Sequence, residues 1–318
     1  MKTPKVYILL LHWNGYDDTL RCLLSLKNLR YPSYEVLVID NGSSDDSLSK
    51  LQRIFPDYRY ISLGKNLGYA GGNNRGIDYA LKENADYLFL LNNDTTVEKD
   101  TLCRLIEGAK RHPNGRAFGP KVLQMFAPNT LDYLGGVWDE TTCNYVPFGY
   151  KEPQSFFQKD VSLDYISGCS LLLDASIFPT IDKLDERFFL LWEEADLCAR
   201  IKKQGHELWA IPESVIYHKG SSSFSGKAHL EYYWHRNRLL WMEKHVPRKN
   251  RPKAIKRFLR KELIKPFRHY LIKRLLWAIC PLYAPSKRTE KKRAQLSRLY
   301  AACLGMTHYY CRRFSKRP

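Results

Sequence analysis

Paired cysteines, long apolar runs and nucleotide-loop signatures are all missing from this chain, and acid is nearly missing from one end of it. The eight cysteines (Cys22, Cys103, Cys143, Cys169, Cys198, Cys280, Cys303 and Cys311) are scattered, with no C-x-x-C pair. Several sit inside apolar runs, as Cys169 does in ISGCSLLL. This pattern argues against a disulfide framework and for buried free thiols in a reducing cytosol. VYILLL (6–11), behind MKTPK, is too short for a signal peptide, so no secretion signal is expected. The uncharged run LLWAICPLYAPS (275–286) of the C-terminal region holds two prolines and is too short to span a bilayer. Neither G-x-G-x-x-G nor a Walker sequence occurs, and there is no internal repeat. Residues 248–318 carry 22 Lys/Arg against 2 Asp/Glu, while the other 247 residues carry 29 against 31. The net charge of +18 therefore belongs to a tail on a nearly neutral body.

What is present is enough for one large domain or two modest ones: 318 residues, 44% hydrophobic. Strand-like runs alternate with helical patterns. VYILLL (6–11), YEVLVID (34–40), YRYISL (58–63) and DYLFLLN (86–92) read as strands. DDTLRCLLSLKNL (17–29), SDDSLSKLQRIF (44–55) and GGNNRGIDYALKENA (71–85) read as helices. This order implies βαβ units and a parallel sheet, and the unbroken apolar strands imply cover on both faces. Beyond residue 120 the pattern is less regular. FGPKVLQM, YISGCSLLL (165–173), ELWAIP and SVIYH (207–218) are strand candidates. EEADLCARIKKQG (193–205) reads as a helix ended by Gly205, and HLEYYWHRNRLLWMEKH (229–245) as an aromatic-rich helix.

Ligands of open parallel sheets bind outside the carboxyl ends of the strands. Three such ends are polar here: His12-Trp13-Asn14-Gly15, Asp40-Asn41-Gly42-Ser43-Ser44-Asp45 and Asn92-Asn93-Asp94. Each alone is also a good turn, but three at one rim point to a site. The loop KNLGYAGGNNRG (65–76) offers glycines whose backbone N–H groups suit a phosphate, or a flexible turn. A second centre is Trp192-Glu193-Glu194-Ala195-Asp196, behind Phe188, Phe189, Leu190 and Leu191. It opens a helix, where acids favour the dipole. Apolar surroundings also raise a carboxyl pKa and make a useful base.

VYILLLHWNG, VLVIDNGSSDDS, KNLGYAGGNNRGI and YLFLLNNDTTV, followed by SGCSLLL, DERFFLLWEEADLCARIKKQG and VIYHKGSSS, resemble in order and spacing a family 2 glycosyltransferase. Within that family the chain looks most like bacterial rhamnosyltransferases of surface polysaccharide assembly. The resemblance covers about residues 4–245. It implies a Rossmann-like GT-A fold with a mostly parallel central sheet, in a domain over 1–247. Residues 1–120 would form the nucleotide-binding half and 121–247 the acceptor-binding half. By the same resemblance Asp40 contacts the nucleotide base, His12 and Asn14 floor its pocket, and Asn66, Gly68, Asn73 and Asn93 join the nucleotide site. Asp94 takes the last position of a D-x-D pattern and holds a divalent cation, Mg²⁺ or Mn²⁺. Asn92 replaces that pattern's first acid, and His218 adds an imidazole. Glu194 takes the position of the general base, with Glu193 in reserve, and Asp196 orients the acceptor or the helix.

The function implied is inverting transfer from a nucleotide-sugar donor to a lipid-linked or polysaccharide acceptor. dTDP-rhamnose is the leading donor, with UDP-hexoses and UDP-galactofuranose open. A catalytically impaired scaffold binding sugar or membrane is one alternative. A sugar nucleotidyltransferase is the other, although HWNGYDD lacks the Gly-rich basic loop it needs. The tail 248–318 interleaves Lys/Arg with apolar residues and reads as a basic, amphipathic α-helical extension. It suits an anionic membrane surface, placing the protein peripherally on the cytoplasmic face of the cell membrane. No nucleic-acid module is present, so no nucleic-acid partner is expected.

Overall fold

The computed structural model describes residues 3–220, 228–264, 267–268 and 288–314. They form two compact units. One comprises Met1–Trp138 with Tyr145–Gly220, and the other Asp139–Asn144 with Ser221–Pro318. The helical unit therefore starts well before residue 248, the start expected for the tail, and includes a short loop borrowed from the first half of the chain.

The first unit is an α/β sheet. Strands β1 (Val6–His12), β2 (Tyr34–Asp40), β3 (Arg59–Ser62) and β4 (Tyr87–Asn92) are parallel, in the order β3-β2-β1-β4. Helices α1 (Tyr16–Leu26), α2 (Ser47–Ile54) and α3 (Gly68–Lys82) connect them. Next come β5 (Thr95–Val97), α4 (Thr101–Arg111), β6 (Gly115–Gln124) and β7 (Ala127–Tyr133). The hairpin β8 (Gly135–Asp139) and β9 (Asn144–Phe148) pairs apart from the main sheet. Then β10 (Val161–Ser162), β11 (Ser170–Asp174), α5 (Glu193–Lys203) and β12 (Glu207–His218) complete the unit. β11 runs antiparallel between β4 and β6, and β12 is parallel to β6. The sheet is thus mostly parallel, with one reversed strand at its centre.

Burial explains why the strands read as unbroken apolar runs. Ile8, Leu10, Val36 and Val38 join α1 and α4 on one face; Tyr7, Leu9, Leu37 and Ile39 join α3 and α5 on the other. Each fully buried Leu or Ile contributes about 1.5–3 kcal/mol. Two sequence expectations change. ELWAIP and SVIYH are a single strand, β12, whose register shifts between Ile211 and Val215, next to Pro212. α3 starts at Gly68, so most of the glycine loop is helix. A Cβ at Gly72 would strike Leu11, and one at Gly76 would strike Ile39. These glycines bring α3 close to the sheet.

The second unit is helical: α6 (Ala228–His245), α7 (Arg251–Leu259) with a π turn over Arg260–Ile264, and α8 (Arg288–Tyr310). α8 packs along α6. Tyr232 Oη meets His308 Nδ1 at 2.8 Å, and Arg298 and Arg312 pair with Glu231 and Glu243. Arg238, 1% exposed, pairs with Glu262 at 3.2 Å and donates to the Cys143 carbonyl at 3.0 Å. The end of the basic tail is therefore a packed helix, and the run 275–286 lies outside the described residues. Seven cysteines are described and all are free, but Cys303 and Cys311 are exposed instead of buried. Among the described residues no helix is long and apolar enough to cross a membrane.

Candidate active site

Strand register sets the rim. His12 lies opposite Asp40, Asp40 opposite Ser62, and Leu11 opposite Asn92, so β1 to β4 end level. β12 runs in the same direction and ends on His218, opposite Thr95 of β5. β11 starts at this rim, with Ser170 opposite Leu91. All three polar strand ends and His218 thus share one edge.

The expected nucleotide residues divide into rim groups and internal groups. Asn14, half-buried at φ 54°, accepts from the Ser44 amide at 3.0 Å and ties β1 to the β2 loop. Asp40 accepts from the Ser43 amide (3.1 Å) and Ser62 Oγ (2.9 Å) and is nearly enclosed. His12 is fully buried, with Thr19 and Ser47 hydroxyls each 2.8 Å from a ring nitrogen, and burial lowers its pKa. It ties the end of β1 to the starts of α1 and α2. Asn93 donates to the same Thr19 hydroxyl at 2.9 Å. Asn66 accepts from the Gly68 amide at 2.8 Å. Asn73 is buried and donates to the Tyr69 carbonyl at 3.0 Å, within its own helix.

The glycine loop does not offer its amides as a phosphate cradle. The Tyr69 and Ala70 N–H groups both donate to the Phe189 carbonyl, at 2.6 and 3.3 Å. With the Gly68 amide also taken, the start of α3 is capped by the loop that leads to Glu194. Sequence reading missed Asn41, which is buried and bonds Leu67, Asn66 and Gly68, although its place in the β2-end turn was visible.

Asp94 and His218 meet: Nε2 of His218 stands 3.4 Å from Asp94 Oδ1. Nδ1 lies 3.0 Å from Asp132, a buried acid near the end of β7. Burial alone would lower the His218 pKa, but bonds to Asp132 and Asp94 outweigh it and raise it to about 11. Asp132 was not foreseen, because LDYLGG carries no motif around it. Lys219 follows, with Nζ 2.8 Å from both oxygens of Asp18. Asn92 donates its backbone amide to the Cys169 carbonyl at 2.9 Å.

The acidic cluster resolves into three roles. Asp196 is fully buried and pairs with Arg200 at 2.9 Å, so it braces α5. Glu193 is 3% exposed, and Oε2 has no hydrogen-bond partner among the described residues. Burial, then the neighbouring Glu194 charge, push its pKa well up. Glu194 is half-buried. Oε1 accepts from Tyr165 Oη at 2.8 Å, and Oε2 is enclosed without a partner. Burial raises its pKa, and the Tyr165 bond opposes that rise. The approach to α5 is strained: Phe189, Leu191 and Trp192 have φ of 63°, 70° and 77°.

The segment Ser167-Gly168-Cys169 joins the two centres. The Cys169 carbonyl holds the Asn92 end of β4, and a Cβ at Gly168 would lie 3.3 Å from Glu194 Cγ. Tyr69 Oη donates to the Gly168 carbonyl, and Tyr133, next to Asp132, reaches Ser167 at 2.9 Å. The Asn92 end of β4, two residues before Asp94, and the half-buried Glu194 thus meet one short turn at the polar edge of the sheet.

Comparison with known proteins agrees with this geometry. Residues 7–177 match the family described as Glycosyl transferase family 2. An N-acetylglucosaminyl-diphospho-decaprenol L-rhamnosyltransferase of Mycobacterium tuberculosis is 27% identical over 223 residues, covering 64% of this chain and 72% of that protein. Rhamnosyltransferase WbbL of Escherichia coli is 26% identical over 245 residues, covering 72% and 89%. Among solved structures, the mannosyltransferase PcManGT of Pyrobaculum calidifontis with GDP-Man and Mn²⁺ aligns with a TM-score of 0.60 at 13% identity, over 96% of this chain and 88% of that one. GalNAc-T7 with UDP, GalNAc and Mn²⁺ aligns at 0.58 and 12% identity; this chain covers 56% of its length. The fold is GT-A. With a family match over more than half its length, the chain belongs to glycosyl transferase family 2 and is a glycosyltransferase.

Proposed function

We propose that the enzyme is an inverting glycosyltransferase that moves a sugar, rhamnose first among candidates, from a nucleoside diphosphate to a lipid-linked or polysaccharide acceptor of the cell surface. The rhamnosyltransferase relatives support the sugar and acceptor class. The observation that carries the mechanism is the turn 167–169, shared by the Asp94–His218 pair and Glu194. Glu194 takes the proton of the acceptor hydroxyl. The freed oxygen attacks the anomeric carbon in line, the carbon–diphosphate bond breaks, and the nucleoside diphosphate leaves. One displacement inverts the configuration. Asn14, Asp40 and Asn93, at the ends of β1, β2 and β4, and Asn66, in the turn between β3 and α3, border the nucleotide pocket.

The residues fit a divalent cation. Asp94 is one donor, and His218 would be a second on the same side once the cation displaces the Nε2 proton that faces Asp94, while Asp132 fixes the imidazole as a carboxylate partner does in metal sites. Two protein donors suffice where the substrate diphosphate and water complete the shell. Among the described residues no group of three or more His, Cys, Asp or Glu could hold a metal ion by itself. Bound there, Mg²⁺ or Mn²⁺ would offset charge on the departing diphosphate. The test is a donor screen with purified protein, lipid-linked acceptor and either cation. Nucleoside diphosphate release that depends on both donor and acceptor supports the reading, and the absence of release with donors of every class rejects it.

An anionic membrane on the cytoplasmic side is the proposed partner surface. Ala254 and Phe258 of α7 face inward, leaving Lys253, Lys256 and Arg260 exposed. A groove of about 540 Å³ beside them is lined by Ile255, Leu259 and Ile264 with Arg248 and Arg251. Because α8 packs on α6, cutting the chain near Val246 would disturb folding, so point changes are the better probe. Reversing Lys253, Lys256 and Arg260 to Glu should abolish sedimentation of the full chain with anionic vesicles. Undiminished sedimentation would reject this surface.

A further inference from the structure

We propose that Tyr165 is a positioning residue for the transfer reaction: its hydroxyl holds one oxygen of Glu194 so that the other meets the acceptor hydroxyl. The proposal rests on Glu194 acting as the base. Tyr165 is well placed to hold it, because its own backbone is fixed. The Gly136 amide donates to the Tyr165 carbonyl at 2.9 Å, and the Asp164 amide returns a bond to the Gly136 carbonyl at 3.0 Å. The Tyr165 ring leans on Tyr145 with centroids 5.1 Å apart. From this anchor Oη donates to Glu194 Oε1 at 2.8 Å.

The opposite side of the carboxylate is also closed. Gly168 backs the Glu194 stem, with space for a Cβ only 2.9 Å from Tyr69 Oη and 3.3 Å from Glu194 Cγ. Oε2 is left enclosed and without a hydrogen-bond partner among the described residues. A buried acceptor without a donor calls for one, and the incoming hydroxyl, admitted when the side chains that cover Oε2 shift, is the donor that the reaction brings. Glu193 and Cys198 on α5, Tyr69 on α3, Tyr145 on β9 and Tyr165 are the titratable groups that face Glu194. Tyr165 stays protonated, since burial and the Glu194 charge push its pKa far up, so it donates and does not compete for the proton.

The test is Tyr165→Phe in the full chain, with kcat and KM followed across pH at saturating acceptor. Removing one bond to a charged group should lower kcat by about ten- to a hundredfold, with KM for the donor unchanged. The acid limb of kcat should move up by about one pH unit, because the carboxylate loses a stabilising donor. Placing 3-fluorotyrosine at 165, a stronger donor of nearly the same shape, should move the limb down. An unmoved limb in both variants would overturn the proposal. Glu194→Gln separates the two levels. If it retains transfer, the base assignment itself fails. If it is inactive while Tyr165→Phe keeps the native profile, only the role of Tyr165 fails.

Discussion

Gly68→Ala probes the joint between α3 and the loop that leads to Glu194. Gly68 has φ +77°, which costs an alanine about 1 kcal/mol or somewhat more. A Cβ there would also overlap the Phe189 carbonyl and approach its ring to 2.6 Å. Phe189 cannot give way cheaply: it is held at φ 63° beside fully buried Phe188. Moving it weakens the 2.6 Å bond from the Tyr69 amide, worth roughly 0.5–1.5 kcal/mol, and overpacking adds roughly 1–3 kcal/mol. The expected loss is roughly 3–5 kcal/mol in urea unfolding. Gly64→Ala is the matched control, with φ +66° and nothing within 4 Å, and should cost only about 1 kcal/mol. Because Phe189 leads to Glu193 and Glu194, Gly68→Ala should also slow transfer per folded molecule, whereas Gly64→Ala should not. Equal stability and equal activity of the two variants would refute the reasoning.

Four further outcomes are expected. Asn92→Asp restores a second acid at the rim and should lower the cation concentration for half-maximal transfer, by about tenfold; Asp132→Asn should raise it by about ten- to a hundredfold, both read by cation titration. Glu243, bonded to Arg312 and Tyr309, has its pKa lowered from 4.5 to about 2. Its stabilisation is complete above 4.5 and is lost as pH falls toward 2, and Glu243→Gln should flatten this acid-side slope of the melting curve. The effect should stay under about 1 kcal/mol, because Arg312 is 57% exposed and solvent screens the pair. Finally, burial raises the Glu194 pKa, so the acid limb of the wild-type rate profile should lie above the usual Glu value of 4.5.

The parallel half of the sheet was legible because doubly buried strands must be unbroken apolar runs and their turns must be polar. β1, β2 and β4 follow that rule, and their register brings the polar ends level. Where strands are short, paired antiparallel or half-covered, as in β5 and β7 to β10, no such run exists and the sequence is silent. The glycine loop misled for a physical reason. Glycine marks close approach as well as backbone freedom, and at Gly72 and Gly76 the approach is to Leu11 and Ile39, inside a helix. Asp94, His218 and Glu194 were singled out through motif order, and the structure brings Asp94 and His218 together. Asp132 and Tyr165 bond His218 and Glu194 from 86 and 29 residues away, which no local pattern records. The tail shows the same limit: its composition exposes the basic charge, but the pairing of α8 with α6 depends on Tyr232 meeting His308 and Glu243 meeting Tyr309 in space.

The central claim is that Glu194 removes the acceptor proton in a single displacement. Its most direct measurement is single-turnover transfer by wild type and Glu194→Gln at saturating donor, with the anomeric configuration of the product assigned. The account predicts a fall of about a hundredfold or more in the transfer rate, donor affinity retained, and an inverted product. Near-native transfer by folded Glu194→Gln, or a product that retains the donor's configuration, would contradict it.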